Sequence, residues 1–144
     1  MRQFQNVSLE SDPLAARYVK DEVVTVLFAA EDGVIQSREG PNHYQRADAL
    51  VTGSTGDKWS VIRARFEEKY EPVAPLVMGH DGAYHARRIP VWARQIEEPF
   101  AVARRAGGDL LCGNAGDWLL QYAPGDYGLV EGKRFKSVYR TWPE

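Results

Sequence analysis

An α+β fold, predominantly β, follows from three features of these 144 residues. Short β-branched and aromatic runs recur along the chain, and turn-forming Gly-Asp, Asp-Gly and Glu-Asp-Gly groups separate them. Residues 47–70 and 116–139, 69 positions apart, share Asp48/Asp117, Leu50/Leu119, Gly56/Gly125, Asp57/Asp126, Val61/Val130, Arg65/Arg134, Phe66/Phe135 and Tyr70/Tyr139. Eight identities in 24 ungapped positions, where average residue usage gives roughly one or two, point to an internal duplication. The expected architecture is two tandem pseudo-symmetric copies of a small antiparallel β unit packed as a single domain over 1–144. The first copy is expected at 17–72, a connecting turn region at 73–85 and the second copy at 86–144.

Along the chain, residues 1–16 show no sustained period. Ser11-Asp12-Pro13 offers a cap and a first-turn proline, so a loose leader or one or two helical turns is expected. Val23-Val24-Thr25-Val26-Leu27-Phe28 reads as a strand, and Glu31-Asp32-Gly33 as the turn that folds Val34–Ser37 back on it. Gly40-Pro41-Asn42 is a break. Ala47–Thr52 and Trp59–Ile62 make a hairpin around Gly53-Ser54-Thr55-Gly56-Asp57, and Phe66 and Tyr70 share one face of a short helix or turn that Pro72 and Pro75 end. Residues 73–85, centred on Asp81-Gly82, read as a turn-rich bridge. Ile89–Ile96 with Phe100–Ala103 then restates the first hairpin, across Glu97-Glu98-Pro99, and Leu110-Leu111-Cys112 is a short apolar run with Cys112 as a buried small side chain. Gly56-Asp57 and Gly125-Asp126 are structural turns: glycine supplies positive φ, aspartate caps its own turn, and Pro124-Gly125 suits the centre of a type II turn.

Composition excludes several classes. Hydrophobic residues at 44% and charged residues at 26% are those of an ordinary globular chain, and a net charge of −2 disfavours nucleic acid as partner. The longest apolar run is too short for a membrane span, so no membrane partner is expected. With one cysteine and no apolar core at the N-terminus, a reducing, cytoplasmic setting is the expectation.

Candidate chemistry is sparse. His43, His80 and His85 lack metal-ligand spacing, so no metal is expected, and no P-loop, dinucleotide fingerprint or nucleophile elbow implies a cofactor. Asp48/Asp117 and Asp57/Asp126 recur at equivalent positions, which favours shared turns over an acid–base pair. Trp118, Tyr122 and Tyr127, found only in the second copy, with Arg104, Arg134 and Asp117 near them in sequence, form the candidate ligand-binding set. Core packing of the aromatics and solvation of the bases is the plainer use of the same residues. The function expected is a non-catalytic binding or interaction module for a protein partner or a small molecule. The alternative is a small enzyme acting on a phosphorylated or sugar-like ligand in a cleft between the copies. A homodimer is compatible with the sequence.

Pro124-Gly125-Asp126-Tyr127-Gly128, within Gly116-Asp117-Trp118-Leu119-Leu120-Gln121-Tyr122, resembles the signature of the bacterial PGDYG family. The likeness runs from about Ile89 onward, and the first half joins it only through the echo, with Thr55 in place of the motif's proline. The resemblance implies a bacterial source and no assigned activity, and it carries over no catalytic residue.

Overall fold

The computed structural model describes residues 1–37 and 40–143. Among them the chain forms β1 (Arg2–Phe4), β2 (Ala16–Lys20), β3 (Val23–Phe28), β4 (Gly33–Ser37), β5 (Gly40–Tyr44), β6 (Ala49–Thr52), β7 (Lys58–Val61), α1 (Arg63–Lys69) and β8 (Tyr70–Pro72). It continues with β9 (Gly82–Ala86), β10 (Val91–Gln95), β11 (Phe100–Ala103), β12 (Leu110–Gly113), β13 (Trp118–Ala123), β14 (Asp126–Val130), α2 (Gly132–Val138) and β15 (Tyr139–Thr141). The fold is α+β and mostly β. Contacts divide it into a continuous unit, Lys20–Ile89, and a split unit made of Met1–Val19 and Pro90–Glu144.

In the continuous unit a five-stranded antiparallel sheet runs β7-β6-β3-β9-β8, and β4 pairs with β5. Strand alternation sends Val24 and Val26 of β3 to one face, where they meet Phe66 of α1 together with Val51, Tyr70 and Tyr84. Phe66 lies flat on Tyr70 at 4.9 Å and takes the edge of Tyr84 at 4.9 Å. The other face of β3 leaves Val23 49% and Leu27 58% exposed.

In the split unit the large sheet runs β14-β13-β10-β2-β15, and a second sheet runs β1-β11-β12, with β1 parallel to β11. One core lies between these sheets, from Leu119, Tyr127 and Leu129 to Phe100, Val102 and Leu111, with Phe4 and Leu9 of the N-terminal segment. A second core lies under α2, around Leu120, Phe135, Val138 and Tyr139. Phe135 stacks on Tyr139 at 4.6 Å and meets the edge of Tyr18 at 4.9 Å.

The two large sheets have the same order once β9 is matched with β2. Tyr84 of β9 and Tyr18 of β2 present the same edge to the helix phenylalanine. From β6 and β13 onward, the helices α1 and α2 and the strands β8 and β15 begin and end 69 residues apart. The small hairpins also match: Gly33 faces Tyr44 across β4–β5, and Phe100 faces Gly113 across β11–β12, the aromatic ring filling the glycine's space in each.

Several local expectations differ from this structure. Residues 1–16 are not a loose leader: β1 adds to β11, and Leu9 is buried. β3 does not pair with β4, nor β10 with β11. Each goes to a different sheet, because a turn signal fixes where the chain changes direction and not which strand it joins. Gly40-Pro41-Asn42 is part of an edge strand, which tolerates the missing proline N–H. The bridge at 73–85 gives way to β9 at Gly82. Cys112 is exposed, since alternation in β12 turns Leu111 and Gly113 inward instead.

Candidate functional site

The β13–β14 hairpin sorts its residues by strand alternation and by the demands of its turn. Gly125 has φ +75°, as the third position of a type II turn requires, and Gly56 repeats this with φ +89° in the β6–β7 turn. Asp57 accepts the Thr55 hydroxyl at 3.1 Å, and Asp126 opens β14 opposite Ala123. Gly128 lies beneath Tyr122, whose hydroxyl and ring carbons occupy the place of any Cβ there. Gly128→Ala should therefore displace Tyr122 and cost about 1–3 kcal/mol by overpacking, read as a fall in the urea midpoint at unchanged slope.

Trp118 is half-buried, stacked on Phe135 at 3.9 Å with the rings 7° apart, and belongs to the packing under α2. Asp117 is buried and uses both carboxylate oxygens on backbone: Asn114 N–H donates at 2.9 Å and Gly132 N–H at 3.1 Å. Arg134 is buried in α2, and its N–H donates to the Glu131 carboxylate at 2.9 Å. Arg104 pairs with Asp109 at 3.5 Å, and its carbonyl accepts Tyr127 N–H at 2.8 Å. These four residues are held in the framework.

Tyr122, Pro124, Gly125 and Tyr127 come together elsewhere, along a concavity of about 430 Å³ within the split unit. Its opposite wall is the N-terminal segment Asn6–Glu10, and Arg17, Trp92 and Gln121 complete it. Tyr127 donates its hydroxyl proton to the Val7 carbonyl, and the Gln121 side-chain carbonyl accepts Leu9 N–H at 2.8 Å, so β13 and β14 hold that wall in place. Burial pushes the Tyr127 phenol above its usual value. The Arg17 guanidinium lies 5.4 Å from the centre of the Trp92 ring, the two paired across β2 and β10. The Trp92 ring, the Arg17 cation over it and the backbone of the N-terminal segment can hold a ring-bearing anionic molecule.

The N-terminal wall has a second anchor. Asp12 accepts Leu14 N–H at 2.9 Å and pairs with Arg94 at 2.9 Å, and these bonds, the backbone one foremost, hold its carboxyl below the ordinary 3.8. A depressed carboxylate contributes stability above its unfolded value and loses it as pH falls through the folded one. The stability difference between the wild type and Asp12→Asn should thus be constant above about pH 5 and shrink below 3.8, in urea titrations at stepped pH.

Trp92, Arg17, Gln121 and Asn6–Glu10 were not singled out from the sequence. Trp92 sits in an ordinary alternating strand, and Arg17 reaches it only because β2 joins that sheet. Among the described residues no group of three or more His, Cys, Asp or Glu is placed to hold a metal ion, and no helix is long and apolar enough to cross a membrane.

The family model of the PGDYG protein matches residues 40–140. The chain belongs to the PGDYG protein family. In this PGDYG chain the family pentapeptide builds the turn end of β13–β14, and its Pro124, Gly125 and Tyr127 line the concavity, with Tyr127 one of the residues that tie the N-terminal segment down. No curated protein and no solved structure matches the chain.

Proposed function

We propose that this chain is a non-catalytic binding module, soluble and cytoplasmic in a bacterium, whose ligand enters the concavity beside the pentapeptide. One observation carries the reading: the signature residues Pro124, Gly125 and Tyr127 line a preformed recess that also collects Trp92 and Arg17. The ligand class is a small molecule with a planar or sugar ring for Trp92 and an anionic group for Arg17. Catalysis draws no support from Asp117, whose oxygens are both engaged by backbone N–H groups.

On the same reading the two units descend from one ancestral half by duplication, each copy giving its first strand to the other's sheet. The matched sheet orders, the helices offset by 69 residues and the Tyr18/Tyr84 correspondence support it. The recess is then an addition to one copy, since the wall at Asn6–Glu10 precedes both.

Calorimetry against nucleotides, sugar phosphates and other phosphorylated metabolites, repeated on Trp92→Ala and Arg17→Ala, tests the site. Each variant should weaken a hit about tenfold, near 1.4 kcal/mol. Hits unaffected by both variants would place binding elsewhere, and a screen without hits would remove the small-molecule reading.

A further inference from the structure

We propose that the open edge of β4 in the continuous unit is a strand-addition site, taking an extended segment of a partner protein parallel to β4 as β1 lies parallel to β11. In the split unit β11 is central, between β1 and β12, whereas its counterpart β4 has β5 alone beside it among the described residues. The backbone direction follows from the match. Arg2 N–H donates to Pro99 O at 3.2 Å and Arg104 N–H to Asp109 O at 3.0 Å, so even-numbered β11 residues bond β12 while Ala101 and Ala103 face β1. With Gly33 matched to Phe100, Val34 and Gln36 face the open edge.

The sequence of β4 leaves that edge undefended. Gly33-Val34-Ile35-Gln36-Ser37 has no charge and no proline, the usual devices that keep an edge from pairing, while Pro41 guards the partner strand β5. Val34 is 47% exposed.

A second gap lies beside the first. In the split unit the chain beyond β1 crosses the face of the large sheet turned away from α2, burying Leu9 to 1% and bringing Asp12 to Arg94. Arg94 pairs with Leu119 in β10–β13 as Leu27 pairs with Leu50 in β3–β6. On the same face of the continuous unit Leu27 is 58% exposed, and no N-terminal segment of this kind covers it among the described residues. The fitting partner is therefore an extended peptide that pairs with β4 through its backbone and then lays apolar side chains over β3, the pattern of Phe4, Val7 and Leu9. This site shares no residue with the recess, so either can fail without the other.

The test is NMR titration of the full-length ¹⁵N-labelled protein with a synthetic peptide of residues 1–15 of this chain, the segment that fills the matched edge. Shift changes should centre on the Val34 and Gln36 amides. Val34→Pro and Gln36→Pro, which remove only outward N–H groups, should each weaken binding by about tenfold or more with the remaining spectrum intact, and Trp92→Ala should leave it unchanged. Shifts confined to Phe100–Ala103, no shift at β4 with millimolar peptide, or wild-type affinity in both proline variants would each overturn the proposal. So would concentration-dependent dimerisation abolished by Val34→Pro, since the occupant would then be a second copy.

Discussion

Phe135→Ala should lower unfolding free energy by about 3–5 kcal/mol, among the largest single-residue losses expected in the chain. The ring is 4% exposed and is sandwiched: Trp118 lies on it at 3.9 Å, Tyr139 at 4.6 Å, and Tyr18 meets it edge-on at 4.9 Å. Its removal forfeits both the transfer of a phenyl group from water and the contacts of three rings that have no smaller residue to collapse onto. Phe66, fully buried with Phe28, Tyr70 and Tyr84 around it, should cost as much when truncated. Guanidinium unfolding monitored by tryptophan fluorescence measures both. A loss under about 1 kcal/mol at either position would mean that the aromatic cluster does not hold its helix to its sheet.

These aromatic clusters were legible as a pattern before their geometry was. Phe66 and Tyr70, like Phe135 and Tyr139, recur four apart after a Gly-Asp turn, and a short helix followed by a strand delivers both rings to one core. The hairpins β6–β7 and β13–β14 were legible for the same local reason: their turns leave few conformations open. Long-range pairing was not. Nothing in Val23–Phe28 says that its neighbours are β6 and β9 instead of β4, because alternation encodes a buried face and not a partner. The same limit governs the candidate site. Trp118 and Tyr122 have identical credentials in sequence and both pack against the core under α2, yet Tyr122 also borders the recess, and Arg17 meets Trp92 only through the placement of β2.

Asp117→Ala should cost about 3 kcal/mol, and the reason separates a framework carboxylate from a binding one. One oxygen accepts Asn114 N–H in the turn before β13, the other accepts Gly132 N–H at the start of α2, and the residue is 9% exposed. Charge-assisted bonds of this kind contribute about 1.5–3 kcal/mol each, and truncation leaves two backbone donors without their acceptor. Asp48 repeats the arrangement with Gln45 N–H at 2.9 Å and Arg63 N–H at 3.3 Å, but it is only half-buried and its second bond is longer. Asp48→Ala should accordingly cost about 1–2 kcal/mol. Asp117→Asn keeps one acceptor oxygen and loses the charge, so it should fall between Asp117→Ala and wild type. Urea unfolding of the three variants gives the ranking. If Asp117→Ala matched wild type in stability, the carboxylate would be free for a ligand, and Asp117 would return to the binding set from which its two backbone partners remove it.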